Sequence, residues 1–538
     1  MQDGLDQIPS SFGLWSAIGL GWLTLNAFGG ISYILFVGLS AGGMPAIIYG
    51  FIGSSVGVIC TTLTLAQCAS RFSTAGGAYH YSCYLLPLRY RRQIGYPLGW
   101  LNYLGWIFTN AACCAIVASA TLALINLCNP SFEVTTRWQM FLVYLCIVAI
   151  CWMLNLWGLK SIPTVELVGC YITVLAFIAY TIVLLVKAPK ADARSVFVEP
   201  NNHTGYASTS FAVFLGLFTS FSTLLSLEGP CHLAEELPTP KRTVPRIIMI
   251  VVLSQVVVGV VWLIVVGFCI TDLDAINSTA TGIPILELIR RATGSDAAAM
   301  GFAVMFMINN GTSALGSAVT MSRQGYTFAR DGGLFWNSKL IERSSRTELP
   351  FWSINLPSFI VALIGLIYLF SNTAFNAIIG GQSICIIISL AFPALTLLLT
   401  GGELLPSSSR WNFGIWTKPI YLMTVGYSLL VALVAFSYLI TALNMNYTVL
   451  VMSVTGIAMA LAWALEGRKL YSPPLDAEAA LVVTASTVIE GSAIPADISK
   501  DDPSRDVEAS GHTKKVATKD IKGARAPNGS RKLQHMIL

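Results

Sequence analysis

The chain has 538 residues, 55% of them hydrophobic and only 11% charged, with a mean hydropathy of +0.68. That composition excludes a soluble protein of this size and identifies a polytopic membrane protein. The net charge of +5 is a property of loops and termini, so the basic residues report orientation in the membrane rather than a nucleic-acid partner.

A helix needs about 20 apolar residues to cross a bilayer. On that length the chain predicts an all-α bundle of twelve spans, at residues 12–36, 44–68, 96–127, 138–158, 162–187, 208–237, 244–270, 297–323, 351–370, 373–400, 419–441 and 446–465. The opening MQDGLDQIPSSF lacks a signal-peptide pattern, so residues 1–11 are read as a short head and the first span as the targeting signal. Alternate loops carry fifteen basic residues on one side and six on the other. The positive-inside rule makes the richer side cytoplasmic, and an even number of spans puts both termini there. The sequons at Asn202, Asn277 and Asn446 fall on the opposite side, with Asn446 too near the membrane for glycosylation. Twelve cysteines are scattered, mostly in apolar spans, and read as small core residues with no metal or redox spacing.

The first span contains SAIGLGWLTLNAFGGISY, where Gly19, Gly21, Gly29 and Gly30 signal either a break or close helix packing. Between spans 2 and 3, Arg71 to Arg92 reads as a cytoplasmic loop whose aromatics and arginines suit interfacial anchors, a reading that does not account for Gly76-Gly77 beside Tyr79-His80-Tyr81. Thr109, Asn110, Asn309, Asn310, Thr312 and Gln382 are polar groups within spans that need partners, and Asn110 and Asn310 are candidate substrate contacts.

The sixth span holds the strongest signal. Gly229-Pro230 interrupts the helical pattern, and Pro230 suits the first position of a short new half-helix that stops before Pro238 and Pro240. A broken helix at membrane depth is tolerated where it lines a cavity or is buried in protein, which makes the break a candidate binding site. Glu228 lies in the break. A carboxylate there costs about 3 kcal/mol, so it should face a pathway, a partner or a ligand. The alternative is a kinked structural helix with Glu228 reaching the interface. Glu166, a few residues into span 5, is the other acid within a span and a rival for proton coupling, although its place near a helix end also suits the interface. If residues 12–187 and 208–400 are two inverted repeats of five spans, with 419–465 added, the broken helices should be the first and the sixth.

Span 8 ends in SRQGYTFARDGG, which places Arg323, Arg330 and Asp331 at the membrane edge. An Arg-Asp pair there forms a cytoplasmic gate or caps the helix. His80 and His232 read as structural. Residues 467–538 mix eleven basic with nine acidic residues and are expected to be a disordered cytoplasmic tail. With five histidines and no converging catalytic or metal-ligand cluster, an enzyme is not expected, nor a metal or cofactor.

At four stretches the sequence resembles the amino acid-polyamine-organocation superfamily, within it the fungal branch of amino acid, GABA and choline permeases. They are GGMPAIIYG (Gly42 to Gly50), STAGGAYHY (Ser73 to Tyr81), EGPCHLAEELPTPKRTVPR (Glu228 to Arg246) and SRQGYTFARDGG (Ser322 to Gly333), and the resemblance covers residues 12 to about 466. It implies a twelve-helix permease with the five-plus-five repeat, alternating access, and proton-driven uptake of small nitrogenous solutes. By position, Gly19, Gly21 and Trp22 match the family's unwound first helix, and Phe221, Ser226, Leu227 and Glu228 its unwound sixth. Leu23 stands where relatives carry a small residue, and Ser226-Leu227-Glu228 where many have Gly-Leu-Asp. The head is shorter than is usual in the branch. The reading is a plasma-membrane proton symporter for an amino acid, GABA, choline or a related amine, with Glu228 as amine contact or coupling acid. A non-transporting nutrient sensor and a carrier of a specialised metabolite are the alternatives.

Overall fold

The computed structural model describes residues 12–129, 131–132, 137–158, 160–200, 202, 208–272, 276, 282–343, 350–400, 411–436 and 448–474. The head, the sequons at Asn277 and Asn446, and the tail beyond residue 474 lie outside them. Asn202 is half-buried, and its backbone bridges to Ala41.

The first half of the chain forms α1 (Leu14–Leu25), α2 (Ala27–Ser40), α3 (Gly43–Arg71), α4 (Gly77–Leu85), α5 (Leu88–Cys128), α6 (Arg137–Trp157), α7 (Ile162–Lys187) and the short α8 (Ala193–Phe197). Then come α9 (Thr209–Ser222), a 3-10 helix (Gly229–Glu236), α10 (Pro240–Cys269), α11 (Pro284–Thr293), α12 (Asp296–Arg330) and α13 (Asn337–Leu340). The last are α14 (Phe351–Phe370), α15 (Asn372–Leu399), α16 (Thr417–Phe436) and α17 (Thr448–Ala462). Among the described residues there is no strand, as expected of a chain whose backbone groups must be satisfied within each segment in lipid.

Among the described residues, eleven helical segments are long and apolar enough to cross a membrane, one fewer than the twelve spans predicted. The missing one is the sixth. It is divided into the 14-residue α9, a non-helical stretch from Thr223 to Glu228, and the eight-residue 3-10 helix. Neither piece spans alone. The expected half-helix after Pro230 is therefore present, but as a tighter 3-10 turn beginning at Gly229.

The first helix is also broken, at a different place from the one expected. Residues 14–25 are one continuous helix, so Gly19, Gly21 and Trp22 are helical rather than unwound. The break is Asn26, alone in the left-handed region (φ 46°, ψ 53°). Asparagine tolerates that conformation, and its side chain caps α2 by accepting from Gly29 N at 3.0 Å. The glycines serve close approach instead. A methyl group on Gly21 would lie 2.5 Å from Pro230 Cγ, and one on Gly19 would lie 3.1 Å from the Glu166 carbonyl oxygen.

α12 packs along α5 and α10 along α3, with α15 against α5 and α16. Trp106, Trp262, Phe28, Phe302 and Phe306 fill the interior, with the Trp262 and Phe302 rings stacked 6.3 Å apart. The segment from Arg71 to Arg92 is not an interfacial loop. Within it α4 turns back into the protein against α15, burying Tyr79 against Phe328 of α12, His80 beside Asp331 and Tyr81 against Phe72. The ordered chain also continues past Gly467. Tyr471 is 2% exposed, its ring 5.3 Å from Tyr96 and its hydroxyl 2.9 Å from that of Tyr79, and Ser472 N donates to Asp331 O. The first residues of the expected tail thus dock where α12 ends.

Candidate functional site

The two breaks meet in the bundle. The start of the 3-10 helix rests on α1, with Pro230 against Gly21 and Gly229 facing Thr24 and Trp106. Asn26, at the helix-one break, is held by two residues of α12. Its Nδ2 donates to Asn310 Oδ1 at 3.0 Å, and its Oδ1 accepts from Asn309 Nδ2 at 2.8 Å. Thr173 on α7 donates to Asn309 Oδ1 at 3.4 Å.

Glu228 is fully buried and well supplied with donors. Its Oε1 accepts from Asn102 Nδ2 at 2.6 Å and Trp106 Nε1 at 3.3 Å, both on α5. Its Oε2 accepts from the Ala78 amide near the start of α4 at 3.2 Å. These three bonds tie the unwound sixth helix to two neighbours, α4 and α5. His232, one turn on, donates Nδ1–H to the Ala75 carbonyl at 2.7 Å, since a carbonyl oxygen only accepts. Its Nε2 faces Glu228 Oε1 at 3.7 Å without a hydrogen bond.

Glu166 is the opposite case. It is fully buried on α7 rather than interfacial, and neither carboxylate oxygen has a hydrogen-bond partner among the described residues. It occupies the space left by Gly316 on α12 beside Thr24: a methyl group on Gly316 would lie 2.8 Å from Thr24 Cγ2 and 3.4 Å from Glu166 Oε1. An isolated carboxylate in such a place is costly by several kcal/mol unless a proton or a cation meets it.

Arg323, Arg330 and Asp331 lie together at the end of α12, but the expected Arg-Asp pair is not formed. Arg330 makes a two-pronged bond to Glu235, at 2.9 and 3.2 Å. Arg323 Nε donates to Glu236 at 2.9 Å and its Nη1 to Asn155 at 3.2 Å. Asp331 instead accepts from His80 Nε2 at 2.8 Å and Tyr79 OH at 3.0 Å, while Thr74 bonds the other ring nitrogen of His80.

The remaining expected contacts fall at several places. Asn310 holds Asn26 and donates to its own helix at Phe306 O, whereas Asn110 stitches α5 to α12 through Ala314 O and Ser317 Oγ. Phe221 packs edge-on against Tyr427, and Ser226 and Leu227 are buried in the break. Thr109 and Thr312 bond their own helices. Sequence reasoning passed over Asn26, Gln255, Asn102 and Trp106. Their shared signal is a polar atom at membrane depth, and Asn26 carries a second one, standing beside the glycine pair in a position open to the left-handed conformation.

Two touching half-helices, one acid with three donors and one acid without a hydrogen-bond partner among the described residues make up the candidate site. The comparisons with known proteins give the chain its family. A fold likeness covering 84% of this chain and 94% of the other links it to a manganese transporter of Eremococcus coleocola, at a TM-score of 0.54 and 14% identity. The choline transporter of Saccharomyces cerevisiae is 30% identical over 476 residues, 87% of this chain and 83% of that one. The polyamine transporter TPO5 of the same yeast is 27% identical, over 81% and 72% of the two chains. The amino acid permease family matches residues 12–464. The chain belongs to that family, in the amino acid-polyamine-organocation superfamily, and is a membrane permease rather than an enzyme.

Proposed function

We propose that this permease is a plasma-membrane proton symporter that imports a small solute bearing a cationic nitrogen, choline or a related amine first among them. Both termini face the cytoplasm in this reading, on the strength of the loop charges. The solute binds where the breaks of the first and sixth helices meet, beside Thr24, Trp106, Ser226 and Leu227. The indole of Trp106 and the carboxyl oxygens of Glu228 supply attraction for a cation there. The observation that carries the proton half is Glu166, a fully buried acid with both oxygens unpartnered between α1, α7 and α12. A proton that arrives there from outside and leaves inside removes and restores a buried charge, which gives the two ends of the cycle different energies. Glu228 keeps its donors throughout and shapes the solute site. The likeness to the choline transporter supports the choice of solute.

The test is uptake of labelled choline, GABA, amino acids and polyamines in permease-deficient cells, at outside pH 5 and 7 (about), with Glu166→Gln and Glu228→Gln beside the native chain. Native uptake of one solute rises in acid. Glu166→Gln abolishes that acid stimulation while solute exchange persists, and Glu228→Gln loses both. Uptake indifferent to pH in the native chain, or acid stimulation surviving in Glu166→Gln, overturns the proton assignment.

A further inference from the structure

The left-handed residue in the first helix leaves the hydrogen-bond ladder interrupted, and a side chain from another helix fills the gap. The Ala27 amide, which in a continuous helix would bond the carbonyl four residues earlier, donates instead to Gln255 Oε1 at 2.9 Å. The same side chain donates Nε2 to the Trp22 carbonyl at 2.5 Å, on the other side of the break. Gln255 is completely buried on α10, one turn beyond Val251, which packs beside Gly21. One amide group therefore joins the two half-helices, α1 and α2, across Asn26. The Trp22 carbonyl also accepts from Asn26 N at 3.1 Å, and Gly30 N donates to Asn26 O at 2.9 Å; both backbone bonds end on Asn26 and neither crosses it. The Asn26 side chain is meanwhile committed to α12 and to Gly29.

Resting on the transport reading above, we propose that Gln255 is the positioning residue of a hinge in the first helix: α10 carries the missing rung of the ladder, and α2 swings relative to α1 about Asn26 only when that rung opens. Gln255 acts through the backbone of Trp22 and Ala27 and touches no solute. Its amide is suited to the task because it offers one acceptor and one donor about a single rigid plane, matched to one free N–H and one carbonyl. A hinge spanned by two side-chain bonds is stiff enough to have two settled arrangements and weak enough to pass between them.

Hydrogen exchange of the full-length protein in lipid nanodiscs tests this without any solute. Gln255→Met keeps the volume and removes both bonds. Peptides covering residues 22–31 then exchange at least about fivefold faster than in the native chain, the effect of losing roughly 1 kcal/mol of protection. Peptides from α14 are unchanged. Gln255→Glu keeps the acceptor for Ala27 and falls between the two. In labelled-choline uptake, Gln255→Met changes the maximal rate with the KM preserved, and Gln255→Glu restores part of it. Exchange at 22–31 that stays native in Gln255→Met overturns the hinge. So does a variant whose KM rises at constant maximal rate, because that marks a solute contact. If the native chain takes up no choline, the transport reading fails while the exchange result still decides the hinge.

Discussion

Tyr471 follows the last membrane helix, yet its side chain is as buried as a core residue. Its ring sits in an aromatic cluster with Tyr96, Phe328 and Trp463, at centroid distances of 5.3, 6.3 and 6.5 Å. Its hydroxyl meets that of Tyr79, which itself donates to Asp331. Truncating a fully buried aromatic to alanine costs about 3 kcal/mol or more. Removing the hydroxyl alone costs about 1 kcal/mol, since Tyr79 keeps its acceptor on Asp331. Tyr471→Ala should therefore lower the melting temperature of the detergent-solubilised protein by several degrees and Tyr471→Phe by about a third as much, read by size-exclusion after heating. A Tyr471→Ala protein that melts with the native chain would refute the docking of this segment, and equal losses in the two variants would refute the division between ring and hydroxyl.

Glu287, on α11 between two membrane spans, gives a dependence on pH of known sign. Burial works against its ionisation, but the hydrogen bonds and charges of Arg290 at 2.8 Å and Arg291 at 2.7 Å outweigh it and hold the carboxyl below its ordinary value of 4.5, so its contribution is complete above that pH and disappears as pH falls through the lower, folded value. The stability gap between the native chain and Glu287→Gln should be constant from neutral pH down to about 5 and shrink in stronger acid; a gap that widens in acid contradicts the pairing. Gly21→Ala must push against the Pro230 ring and Val251, a rigid ring and a β-branched chain, at a cost of about 1–3 kcal/mol. It should cut the yield of folded protein on size-exclusion, and an unaltered yield would show that α1 and the sixth helix do not touch there.

The spans were legible because the bilayer imposes a length and a composition on any segment that crosses it, whatever its neighbours. The sixth-helix break was legible for a local reason, Gly229 and Pro230 standing together. The first-helix break was misplaced onto glycines because glycine signals both freedom and close approach. At Gly21 the second meaning holds, while the left-handed turn fell to Asn26. What could not be read was partnership. Arg330 finds Glu235 across 95 residues and Arg323 finds Glu236 across 87, so Asp331, adjacent in sequence to Arg330, is a poor guide to either. The folding of Gly77–Leu85 into the protein was hidden likewise, since its tyrosines and histidine have the composition of an interfacial belt and only α12 and α15 make them core.

The donors around Glu228 also bear on how the protein is made. Ala78, Asn102 and Trp106 precede Glu228 by 150, 126 and 122 residues. All three are therefore synthesised before the acid they bond. A lone carboxylate inside a bilayer is unfavourable by roughly 3 kcal/mol, a large penalty for a half-length helix. The N–H groups that receive Glu228 belong to the first half of the chain, so the broken helix of the second half depends on the first half for the place its acid occupies.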